Sequence, residues 1–244
     1  MNVVPEKDWE TYCYQSKDEI VLVTFHASAD KIVQKEFPYC ARVLIPIHES
    51  NAFGGVERPE AEVLWAMEDR LVEALQAHKV ACLLLGRLTH GGLRELVFQL
   101  ADWGTFRPAV GKWMIQYPDY QTDVSEHDGW EFFFECLWPS PTGWLFIADR
   151  RVVDNLVRSG SEPSKPHLLQ FVFHGAAAGL ESLRERLLQR AYTVRDFKPT
   201  DQTLVMALSL PLEVNRIFEE TSAHTKAAEE LGLQYAGWGC LIVR

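Results

Sequence analysis

His167-Leu168-Leu169-Gln170-Phe171-Val172-Phe173 is an apolar run of strand length, and the pattern that follows it decides the fold of the C-terminal part. Leu180, Leu183, Leu187 and Leu188 recur at helical spacing, so the chain turns from a strand into a helix. Two further strand-like runs, Tyr192 to Phe197 and Thr203 to Leu210, are separated by the turn-forming Lys198-Pro199-Thr200-Asp201. A second helical stripe (Val214, Ile217, Phe218, Thr221, Ala228, Leu231) precedes a last strand expected from Leu233 to Val243. The order β-α-β-β-α-β predicts a ferredoxin-like sandwich, two helices on one face of an antiparallel sheet. That architecture hosts many unrelated functions, so it limits the shape without naming an activity.

Upstream, Trp138-Pro139-Ser140-Pro141-Thr142-Gly143 interrupts apolar patterns on both sides, which predicts two α+β domains, 1–140 and 141–244. A short helix over 144–158 and a polar loop, Ser159 to Pro166, lead into the first C-terminal strand. The N-terminal part reads as a mostly antiparallel sheet with packed helices. A hairpin is expected from Trp9–Tyr14 and Ile20–Phe25, turning at Ser16-Lys17-Asp18-Glu19, and a strand from Tyr39 to Ile47. From Pro59 a helix runs with Val63, Leu64, Met67, Leu71 and Leu75 as its apolar positions, Glu60 and Glu62 complementing its N-terminal dipole. Val80–Leu85 and Leu93–Leu100 read as strands, with Gly86 to Gly92 as their connection, and Asp128 to Leu137 as an aromatic-rich helix stopped by Pro139, with a strand as the alternative.

Nearly half the residues are apolar and 24% are charged, a globular composition. Residues 1–140 hold 12 Lys and Arg against 22 Asp and Glu, a net of −10, while 141–244 hold 12 against 12. A phosphate backbone is repelled by the first part and not drawn by the second, so direct nucleic-acid binding is not expected and protein partners with basic surfaces are. No apolar run spans a bilayer, and Met1 to Asp8 lacks the basic and apolar regions of a secretory leader. The five cysteines, Cys13, Cys40, Cys82, Cys136 and Cys240, form no C-x-x-C pair and read as reduced, buried small hydrophobes. A cytoplasmic location follows as an expectation.

Several chemistries lack their signatures. The eight histidines show no H-x-x-x-H spacing, no G-x-S-x-G elbow is present, and Gly86 to Gly92 lacks the Gly-Lys-Ser/Thr of a phosphate loop. Neither a metal, a cofactor nor a catalytic set is expected. His26, His48, Arg87 and His90 stand at strand ends and form a candidate ligand pocket for a small-ligand sensor or an enzyme. Trp130, Phe132, Phe133, Phe134, Trp138 and Trp144 crowd into a short stretch, which reads as core, with an exposed partner anchor as the alternative.

Ala227-Ala228-Glu229-Glu230-Leu231-Gly232-Leu233-Gln234-Tyr235-Ala236-Gly237-Trp238-Gly239 resembles the closing helix and strand of the ribonuclease E inhibitor B family. There a helix ends in glycine and a strand opens with tyrosine followed by Gly-Trp-Gly. Val152 to Gly160, Pro166 to Phe173 and Leu188 to Val194 extend the resemblance over roughly Trp144 to Arg244. It implies a non-enzymatic adaptor that binds ribonuclease E outside its catalytic centre and restrains RNA degradation. Tyr235, Gly237, Trp238 and Gly239 are then the candidate partner-binding residues. The best-known form carries a long acidic tail and acidic insertions; the last residues here are Leu241-Ile242-Val243-Arg244. Residues 9–139, through Gly86 to Leu96 and the Asp128-x-Trp130 helix, resemble a bacterial domain-of-unknown-function family, numbered 695, found fused ahead of the inhibitor B-like domain.

Overall fold

The structure, a computed structural model, describes residues 8–16, 19–50 and 56–244. The middle of the expected turn, Lys17-Asp18, and residues 1–7 lie outside the described residues. The chain divides into two units between Gly143 and Trp144.

In the first unit, β1 (Trp9–Ser16), β2 (Glu19–His26), β3 (Tyr39–Pro46), α1 (Arg58–Ala77), β4 (Cys82–His90), β5 (Leu93–Leu100), α2 (Trp103–Met114) and β6 (Asp123–Asp128) follow one another. The strands form one antiparallel sheet in the order β1-β2-β4-β5-β3-β6. Because side chains alternate along a strand, register sorts them onto two faces. On one face Val43 opposes Leu96 and Ala41 opposes Phe98. This face packs against Leu64, Met67, Leu71 and Leu75 of α1 and Phe106, Ala109, Val110 and Trp113 of α2. The Trp113 indole N–H donates to the Met67 carbonyl at 3.0 Å and fastens the two helices together.

The other face carries Val23, Phe25, Gly86, Leu88, Glu95, Val97, Cys40 and Arg42, as pairings Phe25–Gly86, Leu88–Glu95 and Arg42–Val97 require. It is covered by the helical segment after β6, where Trp138 N–H bonds the Phe133 carbonyl, five residues back. Phe133 and Leu137 are fully buried, and Trp130 donates its indole N–H to the Phe37 carbonyl at 2.9 Å. Leu137 comes so close to β4 that a Cβ on Gly86 would lie 1.7 Å from its Cδ2. Gly86 is therefore part of β4 and not of a loop. The strand runs to His90, and only Gly91-Gly92, both at positive φ, make the turn to β5.

The second unit holds most of α3 (Pro141–Arg158), then β7 (His167–His174), α4 (Ala177–Leu188), β8 (Thr193–Lys198), β9 (Thr203–Leu210), α5 (Val214–Glu230) and β10 (Gln234–Gly239). The sheet order β10-β7-β9-β8, antiparallel throughout, is that of the ferredoxin-like arrangement. Leu169, Phe171 and Phe173 of β7, with Leu204 and Met206 of β9, pack under Leu180, Leu183 and Leu187 of α4 and Ile217 and Ala228 of α5. Val153 of α3 joins the same core. Both edge strands are bulged, β8 at Arg195 and β10 at Ala236. β10 stops at Gly239, short of the expected Val243, because residues 240–244 have no ladder partner. All five cysteines are free; Cys40 is buried as expected, whereas Cys13 is exposed on β1.

Candidate functional sites

In the second unit the Tyr-x-Gly-Trp-Gly strand is built around an inward-facing tryptophan. Trp238 opposes Phe171, on the helix-covered side of the sheet, and its indole N–H donates to Asp149 Oδ1 at 2.8 Å. Thr221 Oγ1 donates to the other oxygen, Oδ2, at 2.5 Å. Asp149 thus ties α3, α5 and β10 together while only 2% exposed. Its burial pushes the carboxyl pKa up, and two neutral donors do not offset the lost water. Tyr235 opposes Phe173 on the same side, its ring against Phe173 and His224. Gly237 sits at φ +111, next to the bulge, where a side chain is strained. Gly237 and Gly239 fall on the face away from α4 and α5, opposite Val172 and Gln170.

Beside this tie runs a buried polar chain. Tyr192 donates its hydroxyl to Glu220 Oε2 at 2.6 Å, which leaves its oxygen to accept the Nε2–H of His224 at 3.0 Å. Arg190 meets the same carboxylate oxygen at 3.1 Å. His224 is fully buried, and burial lowers its pKa to about 4, so the ring is neutral at pH 7.

In the first unit the most developed polar arrangement crosses four neighbouring strands. His90 on β4 donates Nε2–H to Glu95 Oε1 at 2.8 Å. Glu95 on β5 takes Nε and Nη2 of Arg42, on β3, at Oε2, 2.7 and 2.6 Å away. Arg42 Nη1 donates to His127 Nε2 on β6 at 3.3 Å, and Ser125 lies 3.1 Å from the same nitrogen. The Phe132 ring covers the Arg42 guanidinium at 4.3 Å and stacks on His127. Burial works against the charge on Glu95, but the His90 and Arg42 hydrogen bonds outweigh it and hold the carboxyl below its ordinary range. The same bond to Glu95 raises His90. The nearby Cys136 thiol is pushed up by burial, the opposite of what an activated nucleophile needs.

The four residues singled out at strand ends fall in three separate places. His26 and Arg87 share Trp9, which meets the His26 ring at 5.7 Å and the Arg87 guanidinium at 4.5 Å. Arg87 is also ion-paired with the buried Glu68 of α1. His90 lies on the other face of the sheet, in the row just described. His48 stacks on Tyr120 at 4.3 Å, and its backbone N–H donates to Glu60. Sequence reading did not single out Arg42, Glu95, Ser125, His127 or Asp149 for any site. Strand register brings the first four together, which no local spacing announces. Among the described residues no His, Cys, Asp and Glu group has the makings of a metal site, and no helix is long and apolar enough to cross a membrane.

Residues 7–138 match the model of a family of unknown function, DUF695. The match spans more than half of the sequence, and the chain belongs to that family. Residues 146–240 match the model of the family described as regulator of ribonuclease activity B, which at the family level denotes a regulator of ribonuclease activity. The order of the two is the one expected from the sequence. No curated protein matches the chain. The crystal structure of an unknown protein from Galdieria sulphuraria aligns over 84% of this chain and 99% of that one, at 10% identity and a TM-score of 0.22.

Proposed function

We propose that this member of the DUF695 family is a non-enzymatic regulator of RNA degradation that acts in the cytoplasm, its second unit restraining a ribonuclease of the ribonuclease E type by protein–protein contact. The observation that supports the reading is the match to regulator of ribonuclease activity B, which runs over 146–240 and takes in every strand of the ferredoxin-like sheet. The charge distribution favours a protein partner over RNA, because the acidic excess repels a long run of backbone phosphates. We place the contact at the Tyr235–Gly239 strand. Tyr235 and Trp238 hold that strand from inside, while Gly237 and Gly239, past Gln234 and the bulged Ala236, leave the opposite face of this edge strand's end free of side chains of its own. Main-chain groups at such an edge can pair with a partner segment.

Cleavage of a labelled RNA by purified ribonuclease E, with and without the full chain, tests the proposal. Wild type is expected to slow cleavage. Gly239→Arg is expected to relieve the restraint at unchanged thermal stability, since a Cβ at Gly239 meets nothing within 4 Å. Cleavage that proceeds at its uninhibited rate under saturating wild-type chain sinks the reading.

A further inference from the structure

We propose that the Arg42 end of the polar row, where β3 meets β6, is a binding site for a small anion that presents a carboxylate or phosphate group. The inference is independent of the ribonuclease reading and concerns the other unit.

The argument starts from donors left over. A guanidinium carries five N–H groups and accepts nothing. Arg42 uses Nε and one Nη2 hydrogen on Glu95, and one Nη1 hydrogen on His127. Two N–H groups remain, one on each terminal nitrogen. Since Arg42 can only donate, His127 Nε2 is the acceptor of their bond, and the neutral ring then carries its proton on Nδ1. Ser125, on the same face of β6, lies 3.1 Å from that Nε2, whose lone pair Arg42 already takes, so its hydroxyl can turn to an incoming oxygen.

Placement supports the same end of the row. Phe132 closes the face of the guanidinium, so what is left to an incoming group is the edge bearing the terminal N–H groups. Arg42 is 20% exposed, enough to be reached, while Glu95 beneath it is 2% exposed and saturated at both oxygens. The ion pair thus acts as a fixed support for the donors, and pre-set N–H groups of this kind match the planar or trigonal oxygens of carboxylate and phosphate. β6 is an edge strand, with no sheet beyond it. The carboxylate that acts on His90, Glu19, belongs to β2, at the far side of β4 from Arg42. Asp123, on the same face of β6 two residues before Ser125, and Glu135, on the covering segment, are acidic groups that oppose an anion from nearby.

The test uses the full chain at constant ionic strength. Its His127 ring resonances are followed by NMR as sodium chloride is replaced by sodium phosphate in one series and by sodium acetate in another. A saturable shift with phosphate alone identifies a phosphate-bearing ligand, and with acetate alone a carboxylate; with both, the shared chemistry holds. Ser125→Ala and Arg42→Gln are each expected to weaken the response about tenfold, the worth of one charge-assisted or ring-supported hydrogen bond. Ser125→Ala leaves the Arg42–Glu95 pair intact, so it reports even if Arg42→Gln fails to fold. No saturable shift in either series, or a shift of equal affinity in both folded variants, overturns the proposal.

Discussion

Each unit buries a carboxylate to the same 2% exposure, and the two are held in opposite ways. Glu95, in the first unit, is paired with a guanidinium and an imidazole, and it stays ionised more readily than a free glutamate. Asp149, in the second, is met only by a hydroxyl and an indole, and it holds its proton more readily than a free aspartate. The difference teaches that burial alone does not set the charge of a carboxylate; the charge on its donors does. It also separates roles. The ionic row keeps donors to spare at its partly exposed Arg42 end, whereas the Asp149 tie uses its tryptophan and threonine to join three elements.

Neutralising each acid in turn is the sharpest way to break that comparison. Glu95→Gln leaves Arg42 and His90 without their counter-charge and is expected to cost the first unit about 3 kcal/mol, the range for removing one partner of a buried pair. Asp149→Asn keeps an acceptor for one donor and is expected to cost the second unit about 1 kcal/mol. Amide hydrogen exchange, read separately for peptides of β3–β6 and β7–β10, assigns each loss to its unit. Equal losses would mean that ionisation matters no more in one unit than in the other.

Titration sharpens it further, because the two units carry histidines shifted in opposite directions. His224 falls from 6.5 to about 4 on folding. A depressed histidine leaves the native state unprotonated while the unfolded chain gains a proton, so stability is lost as pH falls from 6.5 and levels off below about 4. The loss to the second unit is expected to be roughly 3 kcal/mol, and His224→Phe removes its pH dependence. His90 is raised above 6.5 by its bond to Glu95, so its contribution is complete below that pH and is lost as pH rises through the folded value. Exchange measured across pH 4 to 8 should therefore weaken the second unit on the acid side and the first on the basic side. Parallel profiles would refute the assignment.

Packing over the row offers a smaller test. Gly86→Ala places a Cβ 1.7 Å from Leu137 Cδ2 and 3.2 Å from the Thr24 carbonyl, so the covering segment must move. An expected cost of about 2 kcal/mol follows from overpacking. Deprotection should appear in residues 130–138 as well as in β4. A change confined to β4 would show that Leu137 yields without disturbing the cover.

How much of this was legible beforehand differs between the units for the same physical reasons. The ferredoxin-like order could be read because Leu169, Phe171 and Phe173 alternate, Leu180, Leu183 and Leu187 recur at helical spacing, and Pro199 marks a turn. In the first unit α2 and β6 escaped. α2 contains Gly104, Pro108 and Gly111, which weaken a helical reading, although Asp102 caps it by accepting the Thr105 N–H. β6 reads Asp-Val-Ser-Glu-His-Asp, too polar to signal a strand, and it lies at the sheet edge where little is buried. The sites were less legible than the folds. Arg42 and His127 are 85 positions apart and Asp149 and Trp238 are 89 apart, joined only by sheet register and helix packing.

The two glycines around Trp238 give the finest test, since they look alike in sequence and differ in the structure. Gly237 takes φ +111 beside the bulge that sets Trp238 against Phe171. Gly239 has ordinary backbone and open space where a Cβ would stand. Gly237→Ala is expected to cost about 1 kcal/mol, the usual penalty for a side chain at strongly positive φ. Gly239→Ala is expected to stay within about 0.5 kcal/mol of wild type, as surface changes do. Urea midpoints of the two variants, read with exchange in the Gln234–Gly239 peptide, check both. If Gly237→Ala proves as mild as Gly239→Ala, the bulge is not what orients the indole toward Asp149. The Asp149 tie would then set the end of β10 unaided, making the second unit more dependent on its neutral buried donors than the first is on its ionic row.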